Sequence, residues 1–234
     1  MNYLHLYRTY LIFGLFLLGA CREDVPEIVD FSDDYAYAPL EQDLTRVYQV
    51  EETVYRLNAE TTESRYQLRE RIGRRLSAPD PAEERYELLR YRRADATQNW
   101  VLDSVWTIQK TADRLVRVEN NVPFVRLRFP LREGRSWDGN SFNTRRRENY
   151  QITNFNAPKQ ISNFDFPETL TVIQRADSSL VNRDIRREVY ARGVGLVERY
   201  EEEIFFCADP NTGCFGQGII ERGRIRSFIL MATN

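Results

Sequence analysis

The sequence predicts an all-β protein built on an antiparallel sheet, and three observations lead to this prediction. Apolar and polar residues alternate with a period of two in many windows of the chain. Asn120-Asn121 separates two such windows and is typical of a hairpin turn. Beyond the first twenty residues, no window carries a long apolar stripe at helical spacing. We therefore expect a sandwich or a curled half-barrel.

Ten segments of the chain show the strand pattern. In one of them Trp100 and Trp106 share the same parity, so a regular strand would place both side chains on one face. The interval 156–168 lacks the alternation and is predicted to be a loop with at most one helical turn. In chain order the ten segments are 47–57, 66–72, 85–93, 100–109, 114–119, 125–129, 169–175, 186–191, 195–206 and 219–231.

The first twenty residues have the layout of a secretory signal peptide. A short head with Arg8 precedes the apolar run 11–18. This run is shorter than the ~20 residues that a membrane-spanning helix needs. Leu18-Gly19-Ala20-Cys21 resembles the lipobox of bacterial lipoproteins, and the resemblance implies cleavage before Cys21 and acylation of that residue. Residues 1–20 are therefore predicted to be removed.

Residues 21–36 are predicted to be the lipid anchor and an acidic tether. The stretch 23–34 contains six acidic residues and no lysine or arginine, so we expect it to remain solvated. Arg22-Glu23-Asp24 resembles the signal that sends lipoproteins of Bacteroidota-type bacteria to the outer leaflet of the outer membrane. The resemblance implies an outer-membrane location, on the cell surface rather than the periplasmic face.

Residues 37–234 are predicted to form one β-rich domain. A Pro-Leu pair followed by a polar link occurs at 39–40 and again at 130–131. Two similar halves, 37–127 and 128–234, would explain this echo, and chance would explain it equally well.

Composition and charge exclude several classes of protein. Removing Arg8 leaves 32 of the 33 basic residues against 35 acidic ones, a net charge of −3. This balance lacks the concentrated basic face of a nucleic-acid-binding protein. His5, the only histidine, is lost with the signal peptide, which excludes Ser-His-Asp and Cys-His catalysis and imidazole zinc sites. We expect neither a metal nor another cofactor.

The two cysteines near the carboxyl terminus are predicted to form a disulfide. With Cys21 acylated, Cys207 and Cys214 remain as an even pair in an oxidising compartment. The residues between them, 208–213, are rich in turn formers.

Four motifs from residue 118 onward resemble a family of outer-membrane lipoproteins of Bacteroidota-type bacteria. The resemblance implies an anchored β-rich domain and assigns no activity to any residue. The motifs are VENNVPFVRLRFPLREGRSWDGNSFN (118–143), ETLTVIQRADSSLV (168–181), EVYARGVGLVERYEE (188–202) and ERGRIRSFIL (221–230).

Few residues are candidates for a ligand site. Trp137 lies among glycines, a pattern that favours a core tryptophan in a turn, and its alternative is a stacking platform for a sugar or an aromatic ligand. Arg145, Arg146 and Arg147 are typical of a solvated strand edge, and their alternative is a groove that binds an acidic glycan or a lipid head group. The run 201–203 of three glutamates is expected to divide between the two faces of a strand.

These observations favour a non-catalytic, lipid-anchored cell-envelope protein with a binding or assembly role at the outer membrane. Its partners would be the membrane, through the acyl chains on Cys21, and a glycan, a lipid or another envelope protein. One alternative is a glycan hydrolase that uses carboxylates alone, although nothing singles out two of the 35 acidic residues. The other is a lipid carrier or chaperone of the half-barrel type.

The lipidation of Cys21 can be tested directly. We expect Cys21→Ser to leave the protein without acyl chains and in the soluble fraction, because the lipobox resemblance assigns the anchor to this thiol. Acyl labelling and membrane fractionation measure both properties. Continued acyl labelling of the variant would contradict the assignment.

Overall fold

Twelve antiparallel strands of the described chain form one continuous sheet. The computed structural model describes residues Ser32–Asn234. A 3-10 helix, Ser32–Tyr37, precedes the strands. The strands are β1 (Thr45–Tyr55), β2 (Thr62–Arg75), β3 (Glu84–Arg93), β4 (Val101–Lys110), β5 (Arg114–Glu119), β6 (Val122–Arg128), β7 (Ser136–Asp138), β8 (Asn149–Ile161), β9 (Phe164–Ser178), β10 (Asn182–Ala191), β11 (Gly195–Phe206) and β12 (Ile220–Thr233).

The sheet is a meander whose two ends approach each other. Its order is β6-β5-β4-β3-β2-β1-β12-β11-β10-β9-β8-β7, so consecutive strands are neighbours and β1 pairs with β12. The proposed boundary at residue 128 coincides with the end of β6, between the meanders β1–β6 and β7–β12. The all-β, antiparallel prediction is confirmed, and the similarity of the two halves stays a prediction.

Side chains from distant strands meet inside the curled sheet. Arg199 of β11 lies 3.3 Å from Glu119 of β5, and Arg126 of β6 lies 3.5 Å from Glu188 of β10. These strands are not neighbours in the sheet, so the contacts cross its interior. Of the two architectures that the sequence allowed, the chain adopts the half-barrel, nearly closed, and not the sandwich.

One end of the half-barrel, where β1 begins and β2 ends, is blocked by the 3-10 helix, and we call it the closed end. Tyr37 is buried there and donates a hydrogen bond to Asn156 Oδ1 at 2.5 Å. The Asp34 carboxylate accepts the Leu131 amide at 2.7 Å. These contacts correct the tether prediction, because residues 32–36 are folded against the sheet and the ordered domain begins before residue 37.

The predicted signal peptide 1–20, the predicted lipidation site Cys21 and the predicted tether up to residue 31 lie outside the described residues. Within residues 32–234, no helix has the length and apolar character needed to cross a membrane.

The hairpin of β8 and β9 covers the interval predicted as a loop. Sequence reasoning missed β8 because Asn154 and Asn156 have positive φ angles of 53° and 56° and interrupt its alternation. The pairing of β8 with β9 shifts register on both sides of Ala157, as expected of β-bulges. The turn at Asn120-Asn121 is confirmed, with φ angles of 49° and 65° between β5 and β6.

The two tryptophans at β4 do not share a face, which corrects the prediction. Ser104 pairs with Arg90 while Leu102 pairs with Tyr91, so Asp103 is an extra residue that reverses the parity. Trp106 is buried in the interior against Arg90. Trp100 lies on the outer face instead, with the guanidinium of Arg69 4.8 Å from its ring centre.

Side chains rather than a backbone ladder close the seam between the edge strands β6 and β7. Only one backbone hydrogen bond of the described chain crosses it, from Val125 N to Gly139 O at 2.9 Å. The Trp137 indole nitrogen donates to Val125 O at 2.8 Å, and Asn143 Nδ2 donates to Pro123 O at 2.8 Å. The central family-like motif therefore satisfies edge carbonyls that a closed ladder would otherwise pair.

Gly139 permits the close packing of this seam. A Cβ atom at this position would collide with the ring of Tyr150. Tyr150 is buried and lies edge-on to Trp137, with ring centres 6.1 Å apart. A side chain at residue 139 would therefore displace the aromatic pair that supports the seam.

The contribution of the indole hydrogen bond can be measured by substitution. We expect Trp137→Phe to lower the free energy of unfolding by about 1–3 kcal/mol, because it leaves the buried Val125 carbonyl without its partner. Urea denaturation monitored by circular dichroism gives this value. Trp100→Phe is the matched control on the outer face, and we expect a change within about 0.5 kcal/mol. Equal losses in both variants would contradict the role of the hydrogen bond.

Candidate functional site

Opposite charges alternate across neighbouring strands on the inner face of the sheet. In one row Glu52 of β1 pairs with Arg226 of β12, Arg226 with Glu201 of β11, and Glu201 with Arg186 of β10. Directly opposed side chains of unlike charge stabilise a sheet, whereas like charges destabilise it. The inner face therefore carries ordered ion pairs where most β-proteins carry apolar residues.

We call the connected ion pairs inside the half-barrel the interior network. Four of its carboxylates, on Glu70, Glu119, Glu188 and Glu201, belong to side chains at most 17% exposed, whereas that of Asp103 is 38% exposed. Five arginines balance the five carboxylates in charge. They are Arg90, Arg117, Arg126, Arg199 and Arg226.

Glu119 is the centre of this network. Its carboxylate accepts a hydrogen bond from Arg126 at 2.5 Å and from Arg199 at 3.3 Å, and Arg117 lies 3.5 Å away. Glu70 in turn accepts a bond from Arg117 at 2.8 Å. Because buried charges are costly unless they are paired, the position of each side chain constrains the next.

The arginines keep the carboxylates of Glu119 and Glu201 ionised. Burial would raise the pKa of Glu119, but the charges of Arg126 and Arg199 outweigh it and lower that pKa well below 4.5. Burial would likewise raise the pKa of Glu201, and Arg199 and Arg226 lower it to about 2. Near neutral pH, both carboxylates are therefore deprotonated, and neither can act as a proton donor.

A pocket of about 300 Å³ opens above the network. Its walls come from β3, β4, β5, β11, β12 and the β5–β6 turn, towards the end of the half-barrel opposite the 3-10 helix. We call this end the open end. The lining combines three arginines, two carboxylates, two neutral polar residues and two aromatic rings: Arg90, Arg199, Arg226, Asp103, Glu119, Ser104, Asn120, Trp106 and Phe228.

Loops at the open end expose large apolar side chains. Leu57, Leu180 and Phe215 lie on three separate connections at this end, and all three are exposed. Val101 and Leu102, at the start of β4, are exposed as well. The open end thus carries both the charged pocket and several exposed apolar side chains.

The structure does not bring the sequence-predicted ligand residues together. Trp137 is buried, with its indole N–H bonded to Val125 O, so it is a core residue and its alternative as a stacking platform is wrong. Arg145, Arg146 and Arg147 are exposed on the β7–β8 loop. They do not line the pocket of 300 Å³.

The predicted disulfide between Cys207 and Cys214 is confirmed. It closes a loop of residues 207–214 within the β11–β12 connection at the open end. Among residues 32–234, no three side chains of His, Cys, Asp or Glu are arranged to hold a metal ion.

Sequence reasoning missed the residues of the pocket. The three glutamates of 201–203 divide between faces as expected, because Glu201 binds Arg199 in the interior while Glu202 binds Arg183. The available signal was the pairing of arginine and glutamate at matching positions on successive strands. That signal becomes visible only when the register of the strands is known.

Comparison with known proteins gives only distant similarities. No family model and no curated protein matches the sequence. A crystal structure from Bacteroides fragilis, of a protein inferred to be exported and to have a YmcC-like fold, matches with a TM-score of 0.43 and 10% sequence identity. The match covers 84% of this chain and 97% of that chain. An inferred lipoprotein of Parabacteroides distasonis matches with a TM-score of 0.41 and 10% sequence identity. The match covers 85% of this chain and 98% of that chain. At this level neither likeness bears on function.

The ion pairs of Glu201 predict that the free energy of unfolding falls in acid. The pKa of Glu201 is about 2 in the folded protein and near 4.5 when unfolded, so its contribution is present above pH 4.5 and is lost as the pH falls towards 2. We expect Glu201→Gln to lower the free energy of unfolding by about 3 kcal/mol at pH 7 and by much less at pH 3.

Urea denaturation between pH 7 and pH 3 measures this difference. Glu51→Gln is the matched control, because the Glu51 side chain is 62% exposed and its ion pair is worth little. A cost for Glu201→Gln that does not change with pH would show that the carboxylate is not held ionised by its arginines.

Proposed function

We propose that this protein is a non-catalytic, lipid-anchored component of the cell envelope that binds a polar ligand in the pocket at its open end. The observation that carries the proposal is the pocket of about 300 Å³ lined by Arg90, Arg199 and Arg226. A volume of this size is at the lower end of small-molecule sites. Charged and amide side chains in its walls favour a polar occupant.

The lowered pKa values argue against a carboxylate-only hydrolase. Glycoside hydrolysis needs one carboxyl group whose raised pKa lets it protonate the leaving group. Glu119 in the pocket and Glu201 beside it have lowered pKa values because arginines surround them. Such carboxylates are suited to fixing guanidinium groups in place rather than to transferring protons.

The filling of the interior argues against a lipid carrier. Next to the apolar residues at the closed end, which include Leu88 and Leu115, the remaining cavity measures about 20 Å³. This is room for about one water molecule and not for an acyl chain. Beyond that cluster the interior is occupied by the ion pairs of Glu70 and Glu119.

The envelope location rests on the sequence. The lipobox-like Leu18-Gly19-Ala20-Cys21 and the following acidic stretch support an acylated protein at the outer membrane, displayed on the cell surface. The disulfide between Cys207 and Cys214 supports an oxidising compartment. The 3-10 helix lies at the closed end, whereas the pocket lies towards the open end.

A glycan panel tests binding against turnover. The detergent-solubilised, full-length protein is incubated with envelope and dietary polysaccharides, and both retention and released reducing ends are measured. We expect retention of at least one polar glycan with no released ends. Release of reducing ends would favour the hydrolase alternative. Copurified acyl chains in native mass spectrometry, with no glycan retained, would favour the lipid carrier.

A further inference from the structure

We infer that the pocket at the open end recognises an organic carboxylate with hydrogen-bond donors beside it, the chemistry of an acidic sugar. This inference rests on the proposed function and specifies its ligand class. It follows from the hydrogen-bonding groups that the interior network leaves unused at the pocket wall.

Two arginines of the pocket retain free donors. Arg226 uses Nε and Nη2 to bind Glu201, and Nη1 has no hydrogen-bond partner within residues 32–234. Arg90 uses Nε for Glu70 and Nη1 for Ser104, which leaves its Nη2 without a partner in the same range. Since guanidinium donors form their strongest hydrogen bonds with carboxylates and phosphates, these nitrogens favour an anionic group.

The β5–β6 turn adds an amide donor. Asn120 Oδ1 accepts the Trp106 indole N–H at 3.4 Å, which orients the side-chain amide. Its Nδ2 has no partner among the described residues, and Asn120 lines the pocket. An anion bound by Arg90 and Arg226 would therefore accept a third hydrogen bond, from the uncharged Nδ2 of Asn120.

Asp103 supplies an acceptor in the same wall. Its Oδ2 accepts the Ser104 hydroxyl at 2.9 Å and lies 3.8 Å from Arg90 Nη1, whereas Oδ1 has no partner in residues 32–234. A simple anion would gain nothing from this oxygen and would be repelled by it. A ligand with hydroxyl or ammonium donors next to its carboxylate satisfies both the donors and the acceptor.

Two kinds of molecule carry this chemistry. Acidic sugars place hydroxyl groups beside the carboxylate, and amino acids place an ammonium group there. The acidic sugar fits better, because each of its hydroxyl groups can donate to Asp103 Oδ1 and also accept from a free donor such as Asn120 Nδ2, whereas an ammonium group can only donate. The experiment separates these two sources.

Calorimetric titration of the detergent-solubilised, full-length protein with three probes tests the inference. The probes are D-glucuronate, D-glucose, which lacks the carboxylate, and L-alanine, which carries an ammonium group. We expect D-glucuronate to bind at least about tenfold more tightly than D-glucose, as loss of one charge-assisted hydrogen bond would give. Tighter binding of L-alanine would support the carboxylate chemistry and identify the amino acid as its source.

Two substitutions locate the binding. Arg226→Gln removes the free Nη1, and Asn120→Asp keeps the acceptor for Trp106 while it replaces the amide donor with a negative charge. We expect each to weaken D-glucuronate binding about tenfold or more. Arg224→Gln is the matched control, because Arg224 lies two residues from Arg226 on the same face of β12 and outside the pocket. Circular dichroism and thermal melting confirm that each variant is folded.

The outcomes distinguish this inference from the proposed function. Equal binding of D-glucose and D-glucuronate overturns the carboxylate assignment and leaves polar-ligand binding in place. Equal losses in Arg226→Gln and the folded control Arg224→Gln also overturn it. If none of the three probes binds, the ligand class is wrong, and the glycan panel decides separately whether the protein binds a polar ligand at all.

Discussion

The interior ion pairs are the constraint on which the rest of the structure depends. Taking several charges out of water costs free energy that only close pairing and hydrogen bonding can offset. Arg199 of β11 reaches Glu119 of β5, and Arg126 of β6 reaches Glu188 of β10, across strands that are far apart in the sheet, so the pairs form only when the sheet curls to this extent. An apolar interior would tolerate small shifts in register, whereas the network requires particular partners. The arginines and glutamates therefore specify the curvature as well as occupy the interior.

The seam follows from the same requirement. The strands that carry the network must bring β6 near β7, yet β7 has only three residues and cannot form a full ladder with it. Trp137 and Asn143 bond to carbonyls of β6 instead, and Gly139 allows their segment to approach Tyr150 closely. A sheet edge that presents free backbone groups invites pairing with other chains. The side chains of one motif thus close the half-barrel and protect its edge.

Sequence patterns predicted the strands better than the contents of the sheet. Each of the ten predicted segments overlaps a strand, and the fold class followed from them. Trp100 was placed on the wrong face because one extra residue, Asp103, reverses the parity and leaves no mark in the composition. The alternation along β6 predicted that Val125 and Arg126 lie on opposite faces of the strand. A period of two does not tell which of the two faces is inside. Both of these side chains are buried, Arg126 among carboxylates, since the apolar face is covered as well.

The distribution of polar and apolar residues along the half-barrel also determines which end a ligand can enter. The closed end holds the apolar cluster around Leu88 and Leu115 beneath the 3-10 helix, and the ion pairs separate this cluster from the pocket. With Cys21 anchored as proposed, the eleven residues from there to Ser32 reach at most about 40 Å, and they join the domain at the closed end. A lipid that entered at the closed end would have to pass through a packed apolar cluster and then a charged layer. A polar ligand from solvent enters the open end without crossing either, which is why charge, and not apolar area, is expected to decide what the pocket holds.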